Sequence, residues 1–541
     1  MSGGTAMKQI TAPDLRALLK TDAEVALIDV REEGAFSKEH LFLAACIPLS
    51  HLEFRCPRMV PRKDVPVVVT DGGPADEDRS LGSLSERAAA RLAEMGYADV
   101  SVLVGGTAGW RAEGYEVFSG VNVPSKAFGE FVEHHYDTPR IEAAELQRMK
   151  DAGTDMVILD SRPMPEFNRM SIPGGIDCPG AELVYRVQTM APDPTTTVVV
   201  NCAGRTRSII GSQSLINAGI PNPVMALKDG TMGWELAGLT CNRGETDHAP
   251  APTGVALDAA KERAAQVARR FGVRRTDSAT VAEWLGQADR TTCLLDVRTV
   301  EEFEAGHWPG ARHAAGGQLV QATDGYVATR NARIVLADGE DGVRATMTAS
   351  WLIQLGWTDV HVLAELPPVP EVGPVDETPA LFQPCETLSV MEMQAVIDSG
   401  EPIAVVDLAE SLKYRRGHIP GAYWTVRSRL TRSMVALAHA GLILLTASDE
   451  RLAHYAGQEL RAARPDLVVR VLAGGTDAWD AAGLPLEEGL DRALTETDDV
   501  WWKPYDHQGG VRQAMEDYLT WEVGLVEQVR RDGLVEFRRF D

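Results

Sequence analysis

The chain is 541 residues long, 44% hydrophobic and 24% charged, with a formal net charge of −25. That length exceeds what one hydrophobic core supports and predicts roughly three to five domains of ordinary globular composition. The acidity argues against nucleic acid as a partner, and the absence of a long apolar run or a basic-then-apolar leader at Met1 to Ile10 predicts a cytoplasmic protein without membrane attachment.

Taken in chain order, one pattern of elements recurs four times. Each unit opens on an apolar strand ending in Asp: Ala26 to Asp29 before Val30-Arg31, Val157 to Asp160 before Ser161-Arg162, Cys293 to Asp296 before Val297-Arg298, and Ala404 to Asp407 before Leu408-Ala409. A Pro-Gly segment follows at Ile172-Pro173-Gly174, His307-Trp308-Pro309-Gly310 and His418-Ile419-Pro420-Gly421, and unit one keeps a remnant around His40. A second apolar strand (Val65 to Thr70, Thr197 to Asn201, Ala332 to Ala337, Leu442 to Thr446) leads into a helix. A third strand leads in units one, two and four to a Gly-Thr turn and then Trp110, Trp234 or Trp479, which read as core anchors; unit three stops at Val362 to Leu366 without it.

Short apolar runs alternating with helical patterns predict parallel strands joined by crossover helices. The fold class is therefore α/β, with four tandem domains at 5–120, 137–245, 272–370 and 383–490, each a small, mainly parallel sheet with helices on both faces. The boundaries fall in Pro/Gly-rich or charged stretches, and Asp258 to Phe271, between units two and three, reads as a helix. A C-terminal helical extension occupies 495–541, with apolar Met515, Leu519, Val523 and Val526 at helical spacing between Val511 and Arg531. Packing back on the domains and a homodimer contact are both open readings of it.

The chemistry concentrates in unit two. Val198-Val199-Val200-Asn201 stops at Cys202, and Ala203-Gly204-Arg205-Thr206-Arg207-Ser208 opens into a helical pattern reaching Asn217. That order predicts a thiol at the carboxyl end of a buried strand, within backbone N–H groups at a helix N-terminus, where N–H dipoles and arginine charge favour a thiolate and bind anions. At the same strand end stand Asp71 in unit one, heading an acidic loop to Ser80, Asp338 in unit three, and Ala447 or Ser448 in unit four. None offers a thiolate, so units one, three and four read as inactive. Cys46, Cys56, Cys178, Cys241, Cys293 and Cys385 read as buried or indifferent, and the lack of a CxxC pair argues against a disulfide framework and a thiolate metal site.

Together these motifs resemble the rhodanese family, a sulfurtransferase fold, over about Thr5 to Leu490, and Cys202 to Ser208 is close to its active loop. The resemblance implies that Cys202 attacks the outer sulfur of thiosulfate, a small sulfur anion donor, that sulfite leaves, and that the persulfide passes its sulfur to cyanide, a thiol or a protein acceptor. It implies that Ala203, Gly204, Arg205, Thr206, Arg207 and Ser208 cradle the persulfide, that Arg205 and Arg207 attract the donor, that Asp160 and Arg162 support the loop, and that no metal or organic cofactor is needed. In two-unit relatives the site opens against the neighbouring inert domain. Unit one is therefore expected to form one wall, and residues 1–250 to retain most of the thiosulfate reaction.

Two rival readings exist. Cysteine phosphatases need five residues between Cys and Arg, whereas Arg207 follows Cys202 after four, Ala203 to Thr206. A sulfur-relay or sensor protein would use its inert units as docking surfaces. Mercaptopyruvate fits less well as donor, because that subfamily's loop resembles Cys-Gly-x-Gly-Val-Thr. His134 and His135, entering unit two, read as solvated histidines within chain reach of the site mouth.

Overall fold

A computed structural model describes residues 7–74, 82–375 and 379–540. The part of the acidic loop that reaches Ser80 thus lies outside the described residues. Each unit forms its own sheet. In unit two the order is Arg140–Ile141, Val224–Leu227, Thr197–Asn201, Met156–Asp160, Gly175–Asp177, all parallel. Units three and four repeat that order. Central strands such as Thr197–Asn201 run almost wholly through aliphatic residues because helices cover both faces of a parallel sheet. In unit one an extra two-residue strand from unit three, Thr329–Arg330, pairs antiparallel with Val25–Asp29.

The pairing fixes which residues are equivalent across units. Asp160 pairs with Asn201, Asp29 with Thr70, Asp296 with Ala337 and Asp407 with Thr446. The positions after these strand ends are Cys202, Asp71, Asp338 and Ala447, so the register in unit four falls on Ala447 and not Ser448. The tryptophans behave alike. Trp110, Trp234 and Trp479 are at most 4% exposed, and each indole N–H donates to a carbonyl six residues on, Glu116, Thr240 and Pro485.

The units do not pair in chain order. Unit two docks on unit three: Arg344 reaches Glu182 at 3.3 Å, and Trp351 Nε1 donates to Ser214 Oγ at 2.7 Å. Unit one docks on unit four, where Arg427 grips Glu53 through two 2.7 Å hydrogen bonds and Ser428 Oγ meets Ser50 Oγ at 3.2 Å. The linker helix Val255–Phe271 lies against Glu182–Met190 of unit two and Val343–Leu355 of unit three.

The C-terminal extension binds the pairs together. Asp498 is held by Arg429, the Ser411 N–H donates to Asp499 at 2.7 Å, and Asp506 pairs with Arg169 at 2.7 Å. The helix Val511–Asp532 then packs on Val123–Tyr136, and Phe537 meets Phe128 edge-on and Phe131 at a tilt. Its buried face differs from the one predicted. Met515, Glu522, Leu525 and Val529 are buried while Val523 is 46% exposed, because a buried carboxylate, which hydrophobic spacing does not register, shares the inward stripe.

Candidate active site

Cys202 caps the strand Thr197–Asn201 and heads the turn into the helix Thr206–Asn217. Two devices beneath it fix the turn. Asp160 accepts from Arg162 at both carboxylate oxygens (2.8 and 2.7 Å) and from Asn201 Nδ2 at 2.8 Å, and Arg162 also donates to the Met170 carbonyl. This ion pair is fully buried and holds the strand end through Asn201. On the other flank, Thr231 N–H donates to the Cys202 carbonyl at 2.9 Å and Met232 N–H to the Ala203 carbonyl at 3.0 Å. Gly230 precedes them at φ +55°, and any Cβ there would collide with the Cys202 carbonyl, which is why the Gly-Thr motif carries no side chain at that point. With the Cys202 and Ala203 carbonyls tied down, the Ser208 N–H is the loop amide that bonds the sulfur.

Cys202 is only 2% exposed, and its Sγ lies 3.4 Å from Ser208 Oγ. Burial pushes the thiol above its usual range, opposed by the Arg207 guanidinium and by the hydroxyl and N–H of Ser208. Charge and helix dipoles alone predict a depressed cysteine, and the depth of burial outweighs them.

The two arginines differ. Arg207 lies beside the sulfur and forms a two-point contact with Glu166 (3.0 and 2.7 Å), and it donates to Gln318 of unit three at 3.1 Å. Burial opposes and Arg207 imposes a low Glu166 carboxyl, at about 2. Arg205 instead points into a carboxylate cluster, with Glu130 at 2.6 and 2.8 Å, Asp229 at 3.1 Å and Glu133. Its charge is spent on holding the helix Val123–Tyr136 to the loop. Thr206 faces the same side, its hydroxyl 3.3 Å from Glu522.

The roof comes from the C-terminal helix. A Cβ on Gly204 would lie 3.2 Å from Tyr518 Cε1 and 3.4 Å from Glu522 Oε2, so a side chain there would press the helix outward by a few tenths of an ångström. Tyr518 donates to Glu522 Oε1 at 2.9 Å. Lys126, buried, sits in a cage of Trp501, Tyr518 and Trp521 with its Nζ 4.8 to 4.9 Å from each ring centre. Burial lowers this ammonium to about 8.

The expectation that unit one forms a wall is corrected. The loop is enclosed by Gln318 of unit three, the helix Val123–Tyr136 and the tail, while unit one contributes Glu33, which accepts the Trp501 N–H at 3.0 Å. The physical reason is the pairing of units two and three. His134 is exposed and His135 stacks on Phe131, so neither reaches the thiol side, where Lys126, Glu130 and Glu133 of the same helix do the work. Cys178 lies in the core with Leu183 and Val200. Tyr518, Glu522 and Gln318 had no sequence signal, being distant in the chain. Glu166 had one: it stands six residues after Asp160, as Glu302 stands after Asp296, and Glu302 likewise binds its unit's loop arginine, Arg344.

The vacant positions in the other units are filled. Asp71 Oδ1 accepts the Gly73 N–H and Oδ2 the N–H and hydroxyl of Ser85. Asp338 likewise accepts Gly339 and Ala345 N–H groups and Arg344.

The model for the rhodanese-like domain matches residues 11–113, 142–237 and 278–365, more than half of the chain. The chain belongs to the rhodanese family. It is similar over 99% of its length, and over 100% of the other chain, to a crystal structure described as thiosulfate sulfurtransferase from Pseudomonas aeruginosa, with 47% identity and a TM-score of 0.92. Over 104 residues it is 34% identical to the HTH-type transcriptional regulator Rv0324 of Mycobacterium tuberculosis; this stretch is 19% of the chain and spans 45% of that relative's length. An anaerobic ergothioneine biosynthesis enzyme from Chlorobium limicola aligns with 66% of the chain and 95% of its own length, at 18% identity and a TM-score of 0.24.

Proposed function

We propose that the chain is a thiosulfate sulfurtransferase working through Cys202. The carrying observation is the contrast among four equivalent strand ends. Two are filled by their own carboxylates, one is Ala447, and one presents a thiol beside an arginine. Likeness over the full chain to a protein described as thiosulfate sulfurtransferase supports the donor.

The Cys202 thiolate attacks the sulfane sulfur of thiosulfate, the S–S bond of the donor breaks with its electron pair on departing sulfite, and a perthiolate remains on Cys202. Loop N–H groups from Ala203 to Ser208 and the Arg207 charge stabilise that anion, while Asp160 and Arg162 hold the strand end. A second nucleophile, cyanide or a thiol, then takes the outer sulfur. The closed roof over Gly204 favours small acceptors over docking of a folded protein, and the spacing of Cys202 and Arg207 disfavours phosphate. Intact mass after thiosulfate treatment tests the reading: one added sulfur that cyanide removes is expected, and no adduct in active protein would refute it.

A further inference from the structure

Glu522 is fully buried over the cysteine loop with one oxygen unused. Its Oε1 takes hydrogen bonds from Tyr518 and Thr206, whereas Oε2 has no partner and points at Gly204, two residues from the reactive sulfur. The groups facing it are Lys126 and Glu130 from the helix Val123–Tyr136, Arg205 from the loop and Tyr518 from its own helix. An orphaned buried carboxylate oxygen is costly, so its retention beside a reaction centre points to a use.

We propose that Glu522 is the proton acceptor for a small thiol substrate in the second half-reaction. This rests on the persulfide reading above. A thiol R–SH bound at the cysteine loop gives its proton to Glu522 Oε2, and its sulfur forms a bond to the outer sulfur of the Cys202 perthiolate. The Cys202 S–S bond breaks, the electron pair returns to Cys202 as thiolate, R–S–S⁻ leaves, and Glu522 then releases the proton to water. Sulfite, which carries no proton to remove in its dianionic form, discharges the same persulfide without this step. Burial raises the Glu522 carboxyl, which suits it to hold a proton, and Lys126, fixed in its aromatic cage, opposes that rise.

The test preloads the full-length protein with thiosulfate, verifies the adduct by mass, and measures the discharge rate constants with 2-mercaptoethanol and with sulfite. Glu522→Gln is expected to lower the thiol-to-sulfite ratio about 10- to 100-fold, the size of a general-base contribution. An unchanged ratio, including an equal fall in both rates, would overturn the proposal. Should that variant not fold, the wild type decides alone: after correction for ionisation of the free nucleophiles, thiol discharge should fall with decreasing pH while sulfite discharge stays flat, and parallel profiles would overturn it. Failure of the wild type to load sulfur would instead refute the persulfide reading itself.

Discussion

Gln318 of the third unit accepts a hydrogen bond at 3.1 Å from Arg207 of the cysteine loop in the second unit. The contact joins residues 111 apart in sequence and makes the third unit part of the pocket. With the tail closing the other side, the site is built from both halves of the chain.

Truncation after residue 250 should therefore abolish or strongly depress thiosulfate turnover, even though it keeps the whole of unit two. It removes Gln318, Tyr518 and Glu522 and exposes the faces of Leu183, Val184 and Phe128 that units three and the tail cover. Steady-state kinetics on the soluble fragment would contradict this if most of the full-length rate survived.

Cys202→Ser should reduce sulfur transfer to background, because a hydroxyl cannot form the persulfide. Cyanide-dependent thiocyanate release measures this directly, and retained turnover would exclude Cys202 as nucleophile.

Arg207→Ala and Arg205→Ala should separate. Removing Arg207 takes away the cation that offsets burial of Cys202, so the thiol should ionise at higher pH still and kcat/KM should fall about 10- to 100-fold, or about 1.4 to 2.8 kcal/mol. Removing Arg205 leaves Glu130 buried without its cation, which costs about 3–5 kcal/mol of stability. Alkylation rate against pH and thermal melting, run on both variants, should show the first shifting the profile and the second the melting temperature.

Asp338→Ala should spare the chemical step but loosen the dock between units two and three. Arg344 and two loop N–H groups lose their carboxylate, a cost of about 2–3 kcal/mol. Denaturant unfolding followed beside turnover per active site distinguishes this from a catalytic role.

Asp177 gives a pH signature. Burial first, and then the charge of Asp160, raise its carboxyl from 3.8 to about 7, and its Oδ1 has no partner. The folded state thus binds a proton that the unfolded chain has released, so this contribution is present below about pH 4 and is lost as pH rises through 7. Asp177→Asn should stabilise the protein by about 1–2 kcal/mol at pH 8 and little at pH 4. Equal melting shifts at both values would contradict the assignment.

The sequence by itself determined the four units, their strands and the cysteine loop, because each is written in contiguous residues: aliphatic runs for buried parallel strands, Asp-x-Arg for the pair beneath the loop, Gly-Thr for the turn that ties down the Cys202 and Ala203 carbonyls. It also marked Cys202 off from Asp71, Asp338 and Ala447 or Ser448 at the equivalent strand ends, the choice of Ala447 coming from the sheet register. Only the tertiary structure decided what surrounds that thiol. Pairing of unit two with unit three, the diversion of Arg205 into Glu130 and Glu133, and the seating of Tyr518 and Glu522 over Gly204 join residues about 70 to 320 positions apart. No local periodicity encodes such contacts; they follow from which surfaces bury best against each other once the separate sheets have formed, and the same burial lifts the Cys202 thiol above the range its local charges would set.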